Sequence, residues 1–169
     1  TEQILHPEQY PADTPIEVEL PDLQAVLGES WREVDDNVLG EWYIYLVLAA
    51  GHDPSARLSE EEASAAAAGW GGDRYEVYLN DQTGELVLVM DTRWDTARDA
   101  GEFWAAFERY GAARWGSPAE SATDRLAWDS SEDGRVVAQL SGDRVIWVVA
   151  PDQSLAEQVI NTLRVPAGA

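Results

Sequence analysis

Arg74-Tyr75-Glu76-Val77-Tyr78-Leu79-Asn80, then Asp81-Gln82-Thr83-Gly84, then Glu85-Leu86-Val87-Leu88-Val89-Met90-Asp91-Thr92 is the stretch that decides the fold. The first segment sets Tyr75, Val77 and Leu79 against Glu76 and Tyr78, the period of two expected of a half-buried strand. The middle four residues are turn formers, and the last segment returns as a nearly unbroken apolar run. Together they predict a β-hairpin whose second strand is buried on both faces.

Both ends of this hairpin carry unusual words: Gly69-Trp70-Gly71-Gly72-Asp73-Arg74 before it and Trp94-Asp95-Thr96 after it. Rigid aromatics next to several glycines form a costly junction, because glycine loses more conformational freedom on folding than any other residue. The spacing brings opposite charges to both strand ends. Asp73, Arg74, Arg93 and Asp95 therefore form an expected Arg–carboxylate network, with Trp70 and Trp94 plugging the sheet end or serving as a ligand platform.

Downstream, Thr96 caps a helix, with Asp99 at the reciprocal position and Ala100, Phe103, Trp104, Phe107 and Tyr110 along one face. A Gly116–Pro118 linker precedes three predicted strands, Arg125 to Asp129, Arg135 to Leu140 and Arg144 to Ala150, joined by Asp133-Gly134 and Gly142-Asp143 turns. Ser154 and Glu157 read as a capping box for a last helix, stopped by Pro166. Upstream, Thr1 to Pro15 reads as an extended arm and Ile16-Glu17-Val18-Glu19-Leu20 as a half-buried strand. Asp22 can cap a short helix over Leu23 to Leu27. Gly40 to Ala50 has strand-like aromatics, but Leu39, Trp42, Tyr43, Leu46 and Ala50 fall at helical spacing and favour a buried helix. Ser59 to Glu62 is a capping box for an alanine-rich helix that ends at Gly69.

The order ββ-α-βββ-α with short turns predicts an α+β domain over residues 16–169, preceded by an arm over residues 1–15. Its curved antiparallel sheet would carry helices mainly on one face. The arrangement resembles the Mog1/PsbP-like sandwich.

Composition narrows the function. The chain has 32 acidic and 11 basic residues, a formal charge of −21, and no lysine or cysteine. Such a surface repels phosphate backbones and anionic lipid, which disfavours nucleic-acid and membrane-surface partners. It fits a solvated acidic face, adaptation to high salt, or carboxylates holding divalent cations; the lack of lysine fits a GC-rich genome equally well. The absence of cysteine excludes disulfides, thiolate nucleophiles and cysteine-ligated zinc. No apolar run approaches the roughly 20 residues of a membrane-spanning helix. The chain starts at Thr1 with its one methionine at Met90, so an upstream part is expected to have been removed or left out.

Catalytic constellations are absent from the pattern. His6 and His52 are far apart and make only a weak metal pair. There is no Gly-x-Ser-x-Gly elbow, calcium loop or phosphate loop. No cofactor is expected beyond weakly held divalent cations.

The words Glu2-Gln3-Ile4-Leu5-His6-Pro7-Glu8-Gln9-Tyr10, Gly69 to Arg74, and Trp94-Asp95-Thr96 through Asp99-Ala100-x-Glu102-Phe103 resemble the C-terminal region of uncharacterised exported bacterial and haloarchaeal proteins. That resemblance implies an upstream zincin-like His-Glu-x-x-His helix, which this chain lacks, so no metallopeptidase residue carries over. The expected function is a non-catalytic accessory or binding domain of a larger exported protein, extracellular or in the cell envelope. It would dock on an upstream catalytic domain or a cell-surface partner through the tryptophan corner. Two alternatives remain: a metal-dependent hydrolase completed by residues outside this chain, and a stand-alone small-ligand binder with a void lined by Trp70 or Trp94.

Overall fold

The computed structural model describes residues 14–164. The arm up to residue 13, including His6, and the helix stop at Pro166 lie outside the described residues.

Seven strands form one open, wholly antiparallel sheet: β1 (Trp31–Asn37), β2 (Trp70–Asn80), β3 (Leu86–Trp94), β4 (Glu120–Ala122), β5 (Arg125–Ser130), β6 (Gly134–Ser141) and β7 (Arg144–Ala150). Their order across the sheet is β1-β2-β3-β7-β6-β5-β4. The helices are α1 (Gln24–Leu27), α2 (Glu41–Ala50), α3 (Glu60–Ala67), α4 (Ala97–Trp115) and α5 (Gln153–Leu163). The fold is α+β, and the predicted order ββ-α-βββ-α is β2-β3-α4-β5-β6-β7-α5, with the three-residue β4 added at one edge.

The sheet separates two cores. Met90, Trp94, Trp128, Val136 and Trp147 point to the side covered by α2, α3 and α4. Val87, Val89, Val137, Ile146 and Val148 point to the other side, where α1 and α5 pack. The helical cover is thus mainly on one face, with a smaller layer on the reverse. This explains the unbroken apolar run of β3: Val87 and Val89 face one layer while Met90 and Trp94 face the other. In the larger core the α4 stripe meets the sheet through aromatic stacking, Trp94 on Phe103 at 4.7 Å and Phe107 on Trp147 at 5.1 Å between ring centres.

Three expectations need correction, and one strand went unpredicted. Residues 16–20 form no strand; they lie beside the start of β2, tied by the Ile16 N–H donating to the Gly71 carbonyl at 2.6 Å. α2 forms where predicted, but its buried side is Glu41, Ile44 and Leu48, and Trp42 and Tyr43 are exposed. The cap of α5 is Asp152, whose carboxylate accepts from the Leu155 N–H, and not Ser154. β1 was absent from the sequence reading, because Arg32-Glu33-Val34-Asp35-Asp36 has no alternation. It is an edge strand, largely exposed and bulged between Glu33 and Asp35, and both traits protect an edge from pairing with another chain.

Candidate functional site

The glycine and tryptophan corner is where a short segment of chain lies beside the start of β2. Register pairs Trp70 with Trp94 and Gly72 with Arg93, leaving Gly71 as an extra residue in a bulge. Gly72 lies under the strap formed by residues 15–20, and a Cβ there would overlap the Ile16 carbonyl. Gly69 has φ +77°, and a Cβ on it would sit 2.7 Å from the Asp99 side chain that closes the start of α4. The corner closes through the Asp95 N–H donating to the Gly69 carbonyl at 2.8 Å. Its glycines are thus explained by close approach of backbone to backbone and by a left-handed turn.

The two tryptophans are interior. Trp70 and Trp94 are both buried, and each indole N–H has a partner: Trp70 donates to Asp73 Oδ2 at 2.8 Å and Trp94 to Thr92 Oγ1 at 3.1 Å. Of the two roles read from the sequence, the plug describes their burial, and Trp70 also borders the groove described below.

Asp73 is the organising carboxylate. Its Oδ1 accepts from the Leu39 N–H and its Oδ2 from the Gly40 N–H, each at 2.7 Å, in addition to Trp70. Gly40 has no side chain to cap α2, so a strand residue 33 positions away holds the start of that helix, where the dipole favours negative charge. Burial pushes the Asp73 carboxyl above its ordinary value, opposed by the donors from Gly40, Leu39 and Trp70.

Of the residues expected in one network, Asp73 and Arg74 are separated by strand alternation, which sends them to opposite faces of β2. Asp73 turns to the α2 side. Arg74 pairs with Asp36 on neighbouring β1. Arg93 lies 3.7 Å from Asp91 and 3.9 Å from Asp143. Sequence reasoning missed the cation that does make a bidentate pair, Arg144. It grips buried Asp91 through Nε at 2.9 Å and Nη2 at 2.6 Å and donates to the Leu163 carbonyl, tying the last turn of α5 to the sheet. Only the β3–β7 register, which sets Arg93 beside Arg144, reveals it.

Next to the corner runs a groove of about 600 Å3. The strap contributes Ile16, Glu17 and Glu19; β2 contributes Trp70, Arg74 and Glu76; Val38 also lines it. Ile16 and Val38 are exposed apolar side chains. Glu76 is half-buried, which raises its carboxyl above the ordinary value, and it accepts from the Tyr78 hydroxyl at 2.6 Å. His52 is exposed in the loop after α2, and among the described residues no three His, Asp or Glu side chains are grouped to hold a metal. Among the described residues no helix is long and apolar enough to cross a membrane.

No curated protein and no solved structure matches the chain. One family model does: it covers residues 26–160, from α1 into α5, and so includes the Gly69–Arg74 corner, most of both cores and the Asp91–Arg144 pair. On that match the chain belongs to the family described as Domain of unknown function (DUF8575).

Proposed function

We propose that this chain is a non-catalytic binding domain, an accessory module of a larger exported protein that docks on a protein neighbour. One observation carries the reading: the groove beside the corner is lined by exposed Ile16 and Val38 among charged Glu17, Glu19 and Arg74. Apolar side chains set among polar ones are the composition of a non-obligate interface. The residues around it are committed to structure, with Asp73 holding α2 and Trp70 filling the core. The resemblance to C-terminal regions of exported proteins supports the accessory role.

The lack of cysteine gives a clean test. Glu17→Cys carries a photo-crosslinker in the groove, and Glu132→Cys carries it in the exposed β5–β6 turn as a control. In the source cells, the Glu17 variant is expected to trap one discrete protein partner that the Glu132 variant does not. Absence of that adduct, or zinc-dependent casein hydrolysis by the purified chain, would overturn the reading; the second outcome would favour a hydrolase.

A further inference from the structure

A second groove, of about 500 Å3, lies between α2 and α3. Glu41, Trp42 and Tyr45 line it from α2, and Glu60, Glu61 and Ser64 from α3, at spacings that put each set on one helix face. Trp42 and Tyr45 stack with ring centres 5.1 Å apart and planes 25° from parallel. Trp42 keeps 43% of its surface exposed, although the chain has ample core for its other tryptophans. The capping box of α3 uses Glu62, so Glu60 and Glu61 serve neither arm of it.

Charge decides what such a groove prefers. Two helix starts would by themselves favour an anion. The exposed carboxylates of Glu60 and Glu61 oppose that preference, and the whole molecule, at −21, draws cations towards it. A stacked aromatic pair flanked by carboxylates suits a planar cation. A guanidinium lies flat on the ring face, where the quadrupole is negative, and forks its N–H groups to carboxylate oxygens at the rim. We propose that the α2–α3 groove binds an arginine side chain presented by a basic segment of a protein partner. This goes beyond the groove at the β2 corner and does not depend on it.

The test follows the Ser64 backbone amide by NMR while the full chain is titrated with an end-blocked Gly-Arg-Arg-Gly peptide and its lysine and citrulline counterparts. Citrulline keeps the shape of arginine and removes its charge. A saturable shift with the arginine peptide, weaker with lysine and lost with citrulline, is expected. Trp42→Ala and the double variant Glu60→Gln/Glu61→Gln should each weaken it about tenfold. The double variant Asp124→Asn/Glu132→Gln, with the same charge change at another part of the surface, should leave it unchanged. The two glutamines retain helix propensity, so this arm stands even where Trp42→Ala disturbs α2. Equal binding of citrulline or lysine, no saturable shift, or equal weakening by both double variants (diffuse attraction to the acidic surface) would overturn the proposal. A failed Glu17 crosslink beside intact arginine binding would discard only the corner groove.

Discussion

Gly72 and Asp73 show how much of this molecule rests on single side chains, or on the lack of one. Gly72→Ala would drive a methyl group into the Ile16 carbonyl, so the strap must lift or β2 must shift. The expected cost is about 1–3 kcal/mol, as for overpacking elsewhere. Hydrogen exchange checks the cause: the Ile16 amide, which donates to Gly71, should lose its protection while the β6 and β7 amides keep theirs. Asp73→Ala leaves the N–H groups of Leu39, Gly40 and Trp70 without their acceptor, at a cost of about 2 kcal/mol or more at neutral pH. Burial raises the Asp73 pKa from an ordinary 3.8, so the folded chain takes up this proton before the unfolded chain does. Stability from that shift is complete below the ordinary value and is lost as pH rises through the raised one. Urea denaturation should therefore show the gap between wild type and Asp73→Ala widening as pH falls from 7 towards the ordinary carboxylate range. The sequence marked both residues as special. It could not say that one makes room for a strap and the other starts a distant helix, because both partners are remote in the chain.

At the scale of elements, the sequence was most legible where structure is locally specified. Ser59 and Glu62 form both arms of their capping box, and Thr96 accepts from the Asp99 N–H as its spacing implied. The hairpin, α4 and the last three strands fall where period and turn chemistry placed them. The errors arose where two local candidates competed or where no periodic signal existed. Asp152 and Ser154 are both good capping residues, and the chain takes the earlier one. Asp152→Ala is expected to lower stability by about 1 kcal/mol in thermal melts, with Ser154→Ala near zero; the reverse ranking would restore the Ser154 cap. β1 is an exposed edge, so burial imposes no alternation on it, and its pairing with β2 was set by neighbours instead.

For the whole molecule, charge and layering are the governing facts. With 32 acids against 11 arginines, most carboxylates have no cation to meet, and the compact state carries their mutual repulsion. Potassium chloride should raise the melting temperature steeply at low concentration and then level off, as screening shortens to about 3 Å near 1 M. A flat response would show that the acidic surface does not strain the fold. The same field steers cations, which links the acidity to the aromatic and carboxylate groove between α2 and α3. Layering explains the core: a sheet covered on both faces needs apolar residues at successive positions of its central strands, and β3 and β7 supply them.

Local signals in the sequence determined the α+β class, the hairpin, the caps at Ser59 and Thr96, the aromatic face of α4 and the exclusion of thiol chemistry, since period, turn residues and composition act over a few neighbours. Only the tertiary structure decided that Asp73 serves α2, that Arg144 and not Arg93 grips Asp91, that residues 15–20 strap the corner, and that Trp42 and Tyr45 line a groove with carboxylates from another helix. Each of these depends on contacts between segments remote in the chain, and for Asp73, Asp91 and Arg144 on strand register and sheet face. Register is fixed by packing across the whole molecule, and a one-residue slip of a strand would send Asp73, Asp91 or Arg144 to the opposite layer.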